Sequence, residues 1–259
     1  MARESKSKPI LWRKRIPWRL VLGVAAVGLV TAAVAAAAIR VRHFALTDAE
    51  FFLSRDRQDA LTVQGLRYAS RGKIFRIFAP DFDHSIFAAA LAERRRELLA
   101  IDWVEDATVS RVWPNQLLVR INERNPVAFV SFPTGVLLID SHGVLLDPPA
   151  QAQFAFPVVS GIRESDSLAE RREKVRTFLN VQDDMGYLMK DISEVDAADP
   201  ESIRVVAQVG NRAVELLLGD TNFAKRYQNF LSHYAEIQRH SPEGKLFDLR
   251  LEDRITAKE

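Results

Sequence analysis

At 259 residues with 47% apolar side chains, the chain is long enough for one large domain or two small ones with compact cores. It has no cysteine, which excludes disulfides, thiolate-held metals and Cys nucleophiles. The net charge of +2 hides a division: residues 1–39 hold Arg3, Lys6, Lys8, Arg13, Lys14, Arg15 and Arg19 against Glu4 alone, or +6, leaving −4 for the rest. Such a balance suits a short tail beside an anionic membrane surface and excludes a nucleic-acid-binding body.

The first predicted element is a membrane span. Leu20 to Ile39 contain no charge, and Thr31 is the one polar side chain. At about 1.5 Å per helical residue this run matches the roughly 30 Å of a hydrocarbon core. The division reads as a basic cytoplasmic tail (1–18), a transmembrane helix (19–39) and a charged juxtamembrane connector (40–57), with Trp12 and Trp18 as interfacial aromatics. The positive-inside rule keeps the N-terminus in the cytoplasm and sends residue 40 onward across, Arg40 and Arg42 weakening the asymmetry slightly. The alanine-rich end also offers A-x-A patterns to a signal peptidase, but the run exceeds the usual apolar region of about 7–15 residues, which favours an uncleaved anchor.

A compact unit follows. "DALTVQG" alternates Leu61 and Val63 before Gly65 and predicts a strand and turn. "SRGKIFRIFAPD" spaces Ile74, Phe75, Ile77 and Phe78 as a helix face, with Ser70 as N-cap and Pro80 as terminator. A second helix, "AALAERRRELLA", packs through Leu91, Leu98 and Leu99 and leaves Glu93 to Glu97 largely solvated. Two strands, "DATVSRVW" and "QLLVRINE", joined by Pro114-Asn115, complete a β-α-α-β-β order.

After Pro126 the texture becomes strand-rich. "AFVSF", "GVLLID" and "GVLLD" are strands, with Asp140 to Gly143 as a hairpin loop in which Asp140 forms the turn. "SLAERREKVRTFLNVQDDMG" predicts a helix packed through Leu168, Val175, Phe178 and Leu179, with Asp183-Asp184 in the loop at its end. "SIRVVAQVG" and "RAVELLLG" form a hairpin. The helix "TNFAKRYQNFLSHYAEIQRH" packs through Phe223, Tyr227, Phe230, Tyr234 and Ile237. "KLFDLRL" is a last strand with Phe247, Leu249 and Leu251 on one face, and Ile255 and Thr256 tolerate an edge strand. The fold class is α+β: a single N-terminal transmembrane helix, then the β-α-α-β-β unit and a strand-rich mixed second domain.

No metal-binding, nucleotide-binding or nucleophile motif occurs, and the five histidines are scattered. Enzymatic activity, a cofactor, a small-molecule substrate and a nucleic-acid partner are therefore not expected.

In "IDWVEDATVSRVWPNQLLVRINERNPVAF" the chain is similar to the W-V-x-x-A-x-V-x-R-x-x-P core and E-R-x-P-V-A sequel of the bacterial cell-division family FtsQ, called DivIB in some bacteria. "LLIDSHGVLLD", "FPVVSGI" and "LFDLRL" resemble that family's later motifs in order. The resemblance implies a POTRA domain at 58–125, a β domain at 126–251 and a C-terminal edge strand or tail at 252–259. It also implies a bitopic inner-membrane scaffold at the division septum, without catalysis. Such a scaffold recruits FtsB and FtsL and so affects septal peptidoglycan synthesis. A partner strand adding to the β-domain edge would meet Arg250, Leu251, Arg254, Ile255 and Thr256. Leu251 departs from the family's tyrosine. Glu123, Arg124 and Pro126 are expected at the joint between the domains. The alternative is another POTRA-bearing envelope protein, acting in polypeptide export or outer-membrane assembly.

Overall fold

The computed structural model describes residues 18–150, 152–251 and 254–258. The basic tail up to Pro17, together with Gln151, Glu252, Asp253 and Glu259, lies outside the described residues. The chain divides into two compact units: one runs to Thr62 and adds Phe78–Leu91 and Ser110–Leu118, and the other comprises Val63–Ile77, Ala92–Val109 and the chain from Val119 onward.

The first unit begins with helix α1 (Trp18–Thr47). Its stretch Leu22–Thr47 is long and apolar enough to cross a membrane. The Thr31 hydroxyl donates back to the carbonyls of Val27 and Gly28 at 3.0 and 2.9 Å, which meets the need of a hydroxyl placed in hydrocarbon. The helix does not end at Ile39 but continues through Arg40 and Arg42, so the first part of the expected connector is helical. A 3-10 turn, Ala49–Phe51, closes it, with the Asp48 carboxylate accepting from Glu50 N.

Strands β1 (Leu61–Gln64), β2 (Val104–Val112) and β3 (Gln116–Glu123) form a three-stranded sheet in the order β1-β3-β2. Between β1 and β2 come α2 (Arg71–Ile77) and α3 (Leu91–Leu99), which realises the expected β-α-α-β-β order. Leu117, Val119 and Ile121 are buried at every second position of β3, the period that a sheet with one covered face imposes. The charged run of α3 is less solvated than its composition suggests. Arg94 pairs with Glu97 at 3.1 Å, and Arg95 donates to the Ala107 carbonyl and to Asp106, both at 2.7 Å.

The remainder of the second unit is a nine-stranded sheet covered by two helices. Its strands are β4 (Pro126–Phe132), β5 (Gly135–Asp140), β6 (Leu145–Leu146), β7 (Val158–Ser160), β8 (Ile192–Asp196), β9 (Ile203–Val209), β10 (Arg212–Gly219), β11 (Leu246–Asp248) and β12 (Thr256–Lys258). Their order is β12-β11-β10-β9-β8-β7-β4-β5-β6. Helix α4 (Leu168–Met185) carries the chain from β7 to its parallel neighbour β8, and α5 (Phe223–His240) carries it from β10 to parallel β11. Parallel neighbours need such crossovers, and the two helices pack on each other.

The core beneath them takes Val175, Phe178, Val181 and Met185 from α4 and Phe223, Tyr227 and Phe230 from α5. Each large apolar side chain so buried contributes about 1.5–3 kcal/mol. Leu168 is not among them: at the first helical position it is 43% exposed, and the capping box of Ser167 and Glu170 fixes the helix start instead. Asp184 belongs to α4 rather than to a loop, and its carboxylate accepts from Ala224 N at 2.9 Å in the first turn of α5.

Candidate functional site

Two places gather the residues singled out by the sequence. The first is the end of the nine-stranded sheet. β11 pairs on one side with β10 and on the other with β12, so β12 is the outermost strand at this end. Its register sets Phe247 against Ala257 and Asp248 against Thr256. An outermost strand presents one row of N–H and C=O groups to solvent, the condition for adding a further strand.

The named side chains surround this edge. Leu249 is buried and its N–H donates to Leu217 O at 2.9 Å, which ties down the chain just before the exposed turn. The Arg250 guanidinium grips Asp248 with two hydrogen bonds, of 2.9 and 2.7 Å, and this partner raises its already high pKa. Leu251 does not share the buried face of Phe247 and Leu249, because the strand ends at Asp248; it stands 52% exposed. Arg254 and Thr256 are exposed, while Ile255 and Ala257 are half-buried against the core. Two open grooves, of about 480 and 520 Å³, flank this segment along α5 and meet at Asn229 and Ile255.

The second place is the passage from β3 to β4. The Glu123 carboxylate accepts from three successive backbone N–H groups, Arg67, Tyr68 and Ala69, at 2.7–3.0 Å. This loop can approach because Gly65 adopts φ +85°; a Cβ there would lie 2.0 Å from the Ile121 carbonyl oxygen. Arg124 donates from Nε to Asp102 O at 3.0 Å and from Nη1 to Asp140 Oδ2 at 2.9 Å. Asp140 is buried, and its other oxygen accepts from His142 N and Val144 N at 3.0 and 2.8 Å. Pro126 opens β4 opposite Asp140. Nearby, the Trp103 indole donates to Asp147 O at 3.0 Å and its ring meets Tyr68 with centroids 5.0 Å apart.

Both carboxylates of this passage are therefore occupied as acceptors of fixed donors. They hold backbone in place, and neither is presented to a substrate as a base. Among the described residues no three His, Asp or Glu side chains converge as a metal site. The sequence reading found Glu123 and Arg124 but not their partners. Asp140 looked like a turn former only, which it also is, and the loop at Arg67 to Ala69 carried no sequence signal.

Comparison with known families decides the assignment. Residues 57–124 match the POTRA domain, FtsQ-type, and residues 128–250 match the C-terminal domain of cell division protein FtsQ/DivIB. The chain belongs to the FtsQ/DivIB family. It is 34% identical over 206 residues to "Cell division protein FtsQ" of Koribacter versatilis, covering 77% of this chain and 59% of that protein. It is 29% identical over 196 residues to the protein of that name from Novosphingobium aromaticivorans, covering 75% of this chain and 59% of the relative. Against the Geotalea daltonii protein, identity is 23% over 209 residues, 77% of this chain and 74% of the relative. The chain thus spans about three fifths of the length of the first two FtsQ relatives.

Proposed function

We propose that the chain is a single-pass scaffold of the bacterial divisome, with no catalysis of its own. Its N-terminus stays in the cytoplasm and the chain beyond α1 works on the outer side of the cytoplasmic membrane, at the septum. Residues 58–125 form the POTRA domain and residues 126–251 the β domain, with Glu123, Arg124 and Pro126 fixing the angle between them. Partners akin to FtsB and FtsL add a strand at β12, and Arg250, Leu251, Arg254, Ile255 and Thr256 supply the side-chain contacts. Through these partners the scaffold regulates septal peptidoglycan synthesis.

The observation that carries the reading is the position of β12, outermost in the sheet and flanked by two grooves. Main-chain pairing gives affinity to a strand added there, and alternate side chains give selectivity. The basic residues before Leu20 support the orientation.

The test is a pull-down of the exported part with the small coiled-coil division proteins encoded in the same genome. Arg250→Glu or deletion of residues 251–259 should abolish capture. Because Arg250 holds Asp248, Leu251→Glu is the cleaner variant: its side chain is already half exposed and the fold should tolerate it. Capture unchanged in all three would move the site elsewhere. A fluorescent fusion should gather at midcell, and uniform membrane fluorescence in dividing cells would refute the divisome role.

A further inference from the structure

Four aromatic rings cluster where α1 ends. Phe44, in the last turns of the helix, meets Phe51 edge-on with centroids 5.6 Å apart. Phe51 is buried, and meets Phe87 at 5.4 Å and Trp113 at 5.5 Å; Phe87 and Trp113 are 5.6 Å apart. The outer side of the cluster is open: Phe44 is 55% exposed, Trp113 68%, and its neighbour Val112 37%. Burying two such large apolar rings is favourable, so their exposure asks for an occupant.

The cluster is fastened to the helix. Ser85 Oγ donates to Ala45 O at 2.6 Å, and Ile86 N to Phe51 O at 2.9 Å. Arg111, on the inner side of β2, donates to the carbonyls of Ile86 and Ala89 at 2.6 and 2.8 Å, and Arg57 donates to Asn115 at 2.6 Å within the hairpin turn. The Trp113 tip therefore keeps its distance from the helix end.

The height of Phe44 along α1 matches a membrane surface. From Ile39, the last residue of the uncharged run, the rise of about 1.5 Å per residue puts Phe44 roughly 7–8 Å further along the axis. The headgroup layer outside the hydrocarbon core is about 5–8 Å thick on each side. Phe44 then lies in that layer, and Trp113 is two ring contacts away from it. Arg40 and Arg42, both exposed, present cationic groups at this level. Arg42 also borders a depression of about 530 Å³ between Leu46 and Phe87. Tryptophan and arginine are both side chains that headgroup layers accept.

We propose that the Phe44, Phe87 and Trp113 face rests in the lipid headgroup layer on the side where α1 emerges. It is a second membrane contact that holds the first unit against the bilayer. The proposal rests on α1 crossing the membrane, and the test separates the two. The chain has no cysteine, so single cysteines can be spin-labelled in the full chain. Val112→Cys reports the tip, Ala33→Cys the middle of the span, and Gln208→Cys, exposed on β9, the water phase. Each labelled chain is reconstituted at high dilution in phosphatidylethanolamine and phosphatidylglycerol vesicles. Collision with oxygen and with a nickel chelate present on both sides is then measured.

The label at 112 should collide with the nickel chelate severalfold less than the label at 208, and Trp113→Ala should return it toward the value at 208. If 112 and 208 read alike while 33 reads as lipid-buried, the tip is in water and the inference fails with the span intact. If 33 reads as water-exposed, the span itself fails, and the inference with it. Shielding at 112 that disappears on further dilution in lipid would assign the face to a second copy of this chain and overturn the proposal.

Discussion

Arg124 Nη1 lies 2.9 Å from Asp140 Oδ2, joining the residue that follows β3 to the end of β5 in a pair whose carboxylate is almost completely buried. A carboxylate at that depth is held by its donors: remove the guanidinium and Asp140 keeps the two backbone N–H groups at His142 and Val144, with the His142 ring 3.8 Å from the oxygen that Arg124 leaves. Breaking a buried pair from one side costs about 3–5 kcal/mol, and the partial exposure of Arg124 brings the expectation to about 2–3 kcal/mol for Arg124→Ala. Urea unfolding of the wild-type and variant chains measures this. Arg124→Lys should recover only part of the loss, because one ammonium cannot serve Asp102 O and Asp140 with the fork geometry of a guanidinium.

Glu123 makes a different kind of contact, one carboxylate against three consecutive N–H groups. Glu123→Gln keeps one carbonyl acceptor and turns an N–H₂ toward the same donors. Oε1 alone accepts from all three N–H groups, so the amide carbonyl can keep them but without the charge that makes each bond worth about 1.5–3 rather than about 0.5–1.5 kcal/mol, and amide exchange at Arg67, Tyr68 and Ala69 should speed by about tenfold. Exchange measured by mass spectrometry over this loop reads the effect directly. The angle between the two proposed domains should change in Glu123→Ala, as seen by solution scattering. Unchanged scattering would mean that the residue does not set it.

These two residues also mark what the sequence carried and what it did not. Helices α2, α3, α4 and α5 were legible because apolar spacing near 3.6 and a cap such as Ser70 are local signals. The β2–β3 and β9–β10 strands were legible through alternation. Strand β8 was missed, since Ile192 and Val195 do not alternate strictly, and its register with β9 shifts between Ile192 and Glu194. The parallel pairings of β7 with β8 and β10 with β11 were also invisible: β7 has three residues and little periodicity to read, and pairing across a helical crossover leaves no local signal. At the candidate site, the expectation at the C-terminal edge came from family motifs. The partners of Glu123 and Arg124 lie 16 to 56 residues away in sequence and could only be found in three dimensions.

Acid should act through Asp166. Its carboxylate receives Lys174 Nζ at 2.6 Å and Arg163 N at 2.9 Å, and the lysine hydrogen bond, followed by the backbone one, holds its pKa below the ordinary 3.8. A carboxyl whose folded pKa is depressed stabilises the fold fully above its unfolded value and loses that contribution as pH falls through the folded value. Stability measured from pH 5 downward should therefore fall less steeply in Asp166→Asn than in the wild type, the variant starting lower at neutral pH. Parallel pH profiles for the two chains would refute this role for Asp166.

Alkali should act through Tyr227. Its side chain is fully buried in the α5 core, and its hydroxyl has no hydrogen-bond partner among the described residues. Burial, with a smaller effect from the Asp191 charge, pushes its pKa up to about 12 from 10.0. In the unfolded chain the phenol ionises near pH 10, whereas in the fold it keeps its proton. The unfolded state is thus the one that gains by deprotonation, so stability is intact below pH 10 and declines as pH rises toward 12, at about 1.4 kcal/mol per pH unit. Tyr227→Phe removes this titration and also removes a buried hydroxyl that costs about 1–3 kcal/mol when left unpaired. The variant should be as stable as the wild type or more so at pH 7, and its advantage should widen by up to about 3 kcal/mol between pH 10 and 12. Denaturant midpoints at pH 7, 10 and 11.5 test both parts. A variant less stable at pH 7 would mean that the hydroxyl is paired in solution, and a constant difference across the three pH values would mean that Tyr227 ionises in the fold as readily as in the unfolded chain.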